Sequence, residues 1–238
     1  MISPSLRSDL APTGKMRVGI NYGNPVLATR DPASGELRGV AVDLAQELGR
    51  RVDLPIELVG YDAAGKMVEG LKAGAWDIAF LAVEPGRANQ IDFTPPYIEI
   101  EGTYLVPSGS PLRAIADVDR KGVRIALAAG AAYDLFLSRT LQHAQLLRAP
   151  DPNAAFQLLV SGKVEVLAGV KQTLVTNAGK LPGSRVLDGR FLVIGQAVGI
   201  VKGRDAGAKY LREFIEDVKA SGLVARAIEK AGVLGQRA

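Results

Sequence analysis

The sequence predicts an α/β protein of two lobes, each a sheet flanked by helices, joined by extended segments able to act as hinge strands. Three observations predict it. The chain is 238 residues long, which suits one large α/β unit or two lobes of roughly 100 to 120 residues each. Its apolar runs alternate with helical periodicity in the order β-α-β-α-β. That order then restarts near residue 123.

Lys15 to Asn21 alternates polar and apolar residues and ends in the turn-rich Tyr22-Gly23-Asn24-Pro25, so it reads as a strand whose exit loop could carry ligand contacts. A turn at Asp31-Pro32-Ala33-Ser34-Gly35 leads to a helix from about Val40 to Arg51, with Val40, Leu44 and Leu48 forming one stripe. Pro55 to Val59 reads as a strand and Gly65 to Ala73 as a helix. Asp77 to Leu81 is apolar enough for a buried parallel strand, and Ile98 to Val106 is again extended. The second series runs strand Val123 to Leu127, helix Ala131 to Leu141, strand Gln145 to Leu147, helix Asn153 to Val160 and strand Val164 to Ala168. Phe191 to Val201 is extended, and Tyr210, Leu211, Phe214, Ile215 and Val218 share a helical face, with Gly222 and Gly232 as stops. The expected lobes are 1–106 with 198–238, and 107–197.

Apolar residues make up 47% of the chain and charged residues 23%, which suits a globular protein that folds alone. The 29 basic and 25 acidic residues are interspersed, so the net charge of +4 gives no nucleic-acid stripe, although it could attract an anion. With no Cys and one His, His143, thiol metal sites and an unaided zinc site are excluded, and no cofactor is expected. His143 at a helix end reads as solvated. No apolar run approaches the length needed to span a bilayer, so no membrane insertion is expected. The opening Met1-Ile2-Ser3-Pro4 has no basic-then-apolar export pattern.

The stretch Val83-Glu84-Pro85-Gly86-Arg87-Ala88-Asn89-Gln90-Ile91-Asp92-Phe93-Thr94-Pro95-Pro96-Tyr97 places Arg87 at the exit of the apolar strand. A guanidinium fork there could hold a carboxylate bidentately, or the side chain could pair with Asp92 or Glu84 at the surface. The stretch resembles the T-x-x-R-x-x-x-x-D-F-S-x-P-Y segment of the amino-acid-type (family 3) bacterial periplasmic solute-binding proteins, which serve ABC importers. Gly35 to Leu44 resembles that family's G-x-x-x-G-F-x-x-D-L segment, and Leu71 to Asp77 its L-x-x-G-x-x-D. Gly162-Lys163-Val164-Glu165 resembles its G-x-x-D, and the C-terminal helices its closing G-x-x-x-x-I; together the similarity spans about 16–235.

The resemblance implies a type II periplasmic-binding-protein-like fold, a ligand held between two lobes, permease subunits as partners, a periplasmic location and a monomer. It also implies that Arg87 grips a ligand carboxylate, helped by the amides of Ala82 and of the Gly130-Ala131-Ala132 turn. A helix N-terminus suits an anion on physical grounds too. Two departures stand out. Val170 occupies the position where amino-acid binders of the family carry an Asp for the ligand's α-ammonium, and a buried ammonium without a partner is costly. Phe80-Leu81-Ala82 also replaces the usual hydroxyl residues. The expected ligand is therefore an organic acid lacking a charged α-amine, with an α-amino acid as the alternative. Tyr22, Asn24, Tyr61, Lys171 and Gln196 are secondary contact candidates. An enzyme is not expected: a prephenate-type dehydratase on the same scaffold needs a positioned acid or base, and only Glu84 and Glu165 are available.

Overall fold

The computed structural model describes residues 2–233; Met1 and 234–238, which the sequence reading includes in the first lobe, lie outside the described residues. The chain divides into two compact units, Met1–Asp62, Lys66–Glu99 and Gly195–Ala238 in the first, Ala63–Gly65 and Ile100–Ile194 in the second.

The first unit opens with helix α1 (Pro4–Leu10), capped by the Ser3 hydroxyl, which accepts the Leu6 N–H at 3.2 Å. Strand β1 (Met16–Asn21) follows, then a small hairpin of β2 (Thr29–Arg30) and β3 (Leu37–Arg38), helix α2 (Val40–Val52), strand β4 (Ile56–Tyr61), helix α3 (Ala64–Lys72), strand β5 (Ile78–Ala82) and short strand β6 (Ile91–Phe93). β7 (Ile98–Val106) leads into the second unit. That unit continues through β8 (Arg124–Ala128), α4 (Ala132–Thr140), β9 (Gln145–Ala149), α5 (Pro152–Val160), β10 (Val166–Val170), α6 (Lys171–Ala178) and β11 (Arg185–Val186). β12 (Leu192–Val201) returns the chain to the first unit, which ends in α7 (Asp205–Ala220) and α8 (Leu223–Lys230).

In the first unit the strand order is β4-β1-β5-β12, with β6 on β12. β1 runs parallel to both β4 and β5, and β12 antiparallel to β5. All five residues of β5 are buried, as its unbroken apolar run requires of a central strand. The stripe Val40, Leu44 and Leu48 of α2 is buried, as are Leu211, Phe214, Ile215 and Val218 of α7. Gly222, with φ +71, separates α7 from α8.

The second unit orders its strands β7-β10-β8-β9, with β11 on β7. β8 is parallel to β10 and β9, whereas β7 is antiparallel to β10. Its core packs Phe156 and Leu159 of α5 against Leu105, Ala126 and Leu167 of the sheet. α5 starts where Asp151 accepts the Ala154 N–H at 2.9 Å and Pro152 fills the first helical position.

One device fixes strand starts in both units. Asp77, just before β5, is fully buried and takes a bidentate grip from Arg17 on β1, Nε to Oδ2 at 3.0 Å and Nη2 to Oδ1 at 2.9 Å. Arg204, capping α7, reaches the same carboxylate at 3.3 Å. Arg124 on β8 grips Glu165, just before β10, at 3.1 and 2.6 Å.

Candidate functional site

The residues singled out from the sequence fall into two groups, one in each unit. In the first, β5 ends at Ala82, which is buried and lies opposite Gln196 in the antiparallel register with β12. The chain then turns at Pro85-Gly86. Glu84 shapes that turn: its carboxylate accepts the Gly86 N–H at 2.7 Å, and its carbonyl accepts the N–H groups of Arg87 and Ala88 at 3.0 and 3.1 Å. Arg87 opens one turn of 3-10 helix, Arg87–Asn89. Its side chain folds back so that Nη1 donates to the Ala82 carbonyl at 2.9 Å, which holds the guanidinium at the end of β5. Only 4% of Arg87 is exposed. Burial pushes its pKa down to about 10, opposed by the negative charge of Glu84; the group stays cationic near neutrality.

Phe80 lies two residues back on the Ala82 face of β5, fully buried, its ring edge-on to Tyr97 with centroids 5.8 Å apart. At the exit of β1, the Tyr22 amide donates to the Tyr61 carbonyl at 2.8 Å, and the Arg30 guanidinium sits 5.5 Å above the Tyr22 ring. Asn24 is buried and spends its side chain on the backbone, accepting the Val26 N–H at 3.2 Å. Tyr61 packs with Met67, Trp76 and Leu71, and its hydroxyl lies so close over Gly70 that a Cβ there would stand 2.3 Å away. Tyr61 thus joins the α3 packing, and burial raises its pKa.

In the second unit, β8 gives way to Gly130, at φ +69, and α4 begins with Ala131 as its cap. A left-handed backbone costs a non-glycine residue. Ala131 and Ala132 are both buried. The Ala131 N–H closes a turn onto the Ala128 carbonyl at 3.3 Å, leaving the Ala132 and Tyr133 amides as first-turn donors with no acceptor inside the helix. Val170 ends β10 and caps α6 with no side-chain hydrogen bond. Lys171 turns to Glu101, Nζ to Oε2 at 2.8 Å, and Arg190 binds the other oxygen at 2.6 Å. These partners hold the Glu101 carboxyl below the usual carboxylate range.

Sequence reasoning missed Asp134. It lies two residues into α4, is buried, accepts the Gly130 N–H at 2.8 Å, and receives Arg148 Nε at 3.0 Å. An acid at the third position after a cap is the signal that would have found it. It fixes the loop that presents the α4 amides. The carboxylates an enzyme would need are committed elsewhere: Glu84 to its turn, and Glu165 to Arg124 at the start of β10 rather than at its exit. His143 is exposed, its amide donating to Asp119 at 2.7 Å. Among the described residues no cluster of His, Cys, Asp or Glu could hold a metal, and no helix is long and apolar enough to cross a membrane.

Comparison with known proteins shows what the chain is similar to. The chain is 24% identical to the glutamine-binding protein of Geobacillus stearothermophilus over 79% of its own length and 73% of that protein. It is 24% identical to the ABC transporter arginine-binding protein 1 of Escherichia coli, covering 85% and 86%. Among solved structures, the solute receptor for L-cysteine of Neisseria gonorrhoeae superposes with a TM-score of 0.84 at 23% identity, covering 98% of this chain and 96% of that one. A mutant of the arginine-binding protein ArgBP from T. maritima gives 0.81 at 20% identity, covering 94% and 98%. These likenesses establish the two-lobed periplasmic-binding-protein fold. With its residues 16–232 matching the family model, the chain belongs to the bacterial extracellular solute-binding proteins, family 3.

Proposed function

We propose that this protein captures an α-amino acid for an ABC-type importer, delivers it to permease subunits outside the cytoplasm, and catalyses no reaction. The observation that carries this reading is Arg87: a buried guanidinium held at the exit of β5, in a chain of this family. A guanidinium presents a planar fork of donors that matches a carboxylate, so the site suits one. The α4 amides of the second unit are also suited to an anion, because a helix N-terminus presents free N–H groups and partial positive charge.

The amine-free organic acid expected from Val170 is the weaker choice. Relatives named for glutamine and arginine, and a structure named for L-cysteine, favour the amino acid. One solved structure titled as an ancestral amino-acid-binding protein, a precursor of cyclohexadienyl dehydratase, superposes with a TM-score of 0.78 at 22% identity. That likeness concerns a binder, and the commitments of Glu84 and Glu165 leave no clear acid or base here.

A thermal-shift screen of the twenty L-amino acids tests the reading. Stabilisation that grows with ligand concentration supports it. A screen in which no amino acid shifts the midpoint, while a des-amino acid does, would restore the organic-acid reading.

A further inference from the structure

The relatives point to an α-amino ligand, yet Val170 brings no charge to meet an ammonium. The first unit holds a neutral group in a suitable place. Gln196 is 4% exposed, and among the described residues its hydrogen bonds are backbone ones: its carbonyl accepts the Tyr97 N–H at 2.8 Å. Its carboxamide makes no hydrogen bond among the described residues yet keeps contact with solvent, so an acceptor and two donors can meet a ligand.

Its position says what that something is. Gln196 sits opposite Ala82, flanked by the Val83 N–H to Gly195 carbonyl bond at 2.9 Å. The Gln196–Ala82 pair is therefore the closely spaced kind, about 4.5 Å between Cα atoms, with both side chains on one face. The Ala82 carbonyl is the group that holds Arg87 Nη1. A carboxamide one cross-strand step from the anchor of a ligand carboxylate is in reach of the ligand's α-substituent. Phe80 and Val198, paired on the same face, make the surroundings apolar. The Tyr97 hydroxyl, buried against Phe80, also lacks a partner.

We propose that Gln196 is the specificity-determining contact for the α-substituent of the ligand, taking an α-amino group on its carbonyl oxygen and, by rotating its amide, an α-hydroxyl on its nitrogen. The claim rests on the amino-acid reading above. A neutral amide that can present either end discriminates poorly between amine and hydroxyl, whereas a carboxylate rejects the hydroxyl strongly. The ligand class is thus 2-amino acids together with 2-hydroxy acids of the same side chain.

The experiment titrates the full protein calorimetrically with the best-binding L-amino acid from the twenty and with its 2-hydroxy counterpart. The expected wild-type affinities lie within about tenfold of each other. Gln196→Glu should widen the preference for the amine to a hundredfold or more. Gln196→Leu should weaken both ligands at least tenfold while leaving the ligand-free melting temperature unchanged or higher, since the amide has no hydrogen bond among the described residues to lose. A residue with only a structural role would lower that temperature instead. Wild-type affinities retained in Gln196→Leu, or a hundredfold wild-type preference for the amine, would overturn the assignment while sparing the amino-acid reading. Binding of none of the twenty would overturn both.

Discussion

At the scale of single residues, the account turns on where charge is tolerated. Arg87 is held cationic in a buried position, with its pKa near 10 still leaving it protonated at neutral pH. Truncating a charged partner in a desolvated contact costs about 2–5 kcal/mol, so Arg87→Ala should weaken ligand binding roughly thirtyfold or more. Val170 offers the complementary test. It caps α6 without a side-chain acceptor, so Val170→Asp should supply a cap worth about 1 kcal/mol, read as a higher urea midpoint. The new carboxylate should also strengthen 2-amino acids relative to 2-hydroxy acids. A variant with an unchanged midpoint would show that α6 does not use that cap. That Arg87 lies at the end of β5, beside Ala82, was readable in the sequence because a motif in register marks the strand exit. Tyr61 was not, because a tyrosine after a strand reads the same whether it faces a ligand or, as here, the helix carrying Gly70.

At the scale of elements, each unit starts its central strands with an arginine gripping a carboxylate, but the two grips differ in depth. The Asp77 side chain is fully buried, whereas that of Glu165 is 39% exposed. Removing one partner of a buried pair strands the other charge, so Asp77→Ala should cost about 3 kcal/mol or more. Glu165→Ala should cost about 1 kcal/mol or less, since solvent screens the pair. Urea unfolding compares them directly; equal losses would contradict the burial argument. The strands of five residues or more and the longer helices were legible from their periodicity, to within a few residues at their ends. α6 was not, because Lys171–Ala178 buries only Leu174 and Asn177 and carries no apolar stripe. The two-residue strands β2 and β3 are too short to show alternation.

At the scale of the whole molecule, the fold was legible because weak motifs recur in order along most of the chain, while the ligand chemistry was not, because an apolar Val170 at the expected ammonium position leaves open which other group meets the ligand. Stability should follow the paired carboxylates. Arg50 and then Arg51 hold Glu47 down to about 2, and Lys171 and Arg190 lower Glu101. Burial alone would raise Asp77, but the hydrogen bonds and charge of Arg17 and the bond from Arg204 carry it below its usual value. Carboxylates depressed in the folded state stabilise it above their unfolded pKa, near 4.5 for Glu47, and that contribution is lost as pH falls from there toward 2. Melting temperature should therefore be flat near neutrality and drop steeply below about pH 4.5; a profile flat down to pH 2 would contradict these pairings. The most direct test of the central claim is calorimetric titration of L-amino acids into the wild type and Arg87→Ala side by side. Binding to the wild type that weakens at least thirtyfold in the variant is the predicted result, and equal affinity in both would contradict Arg87 as the carboxylate anchor.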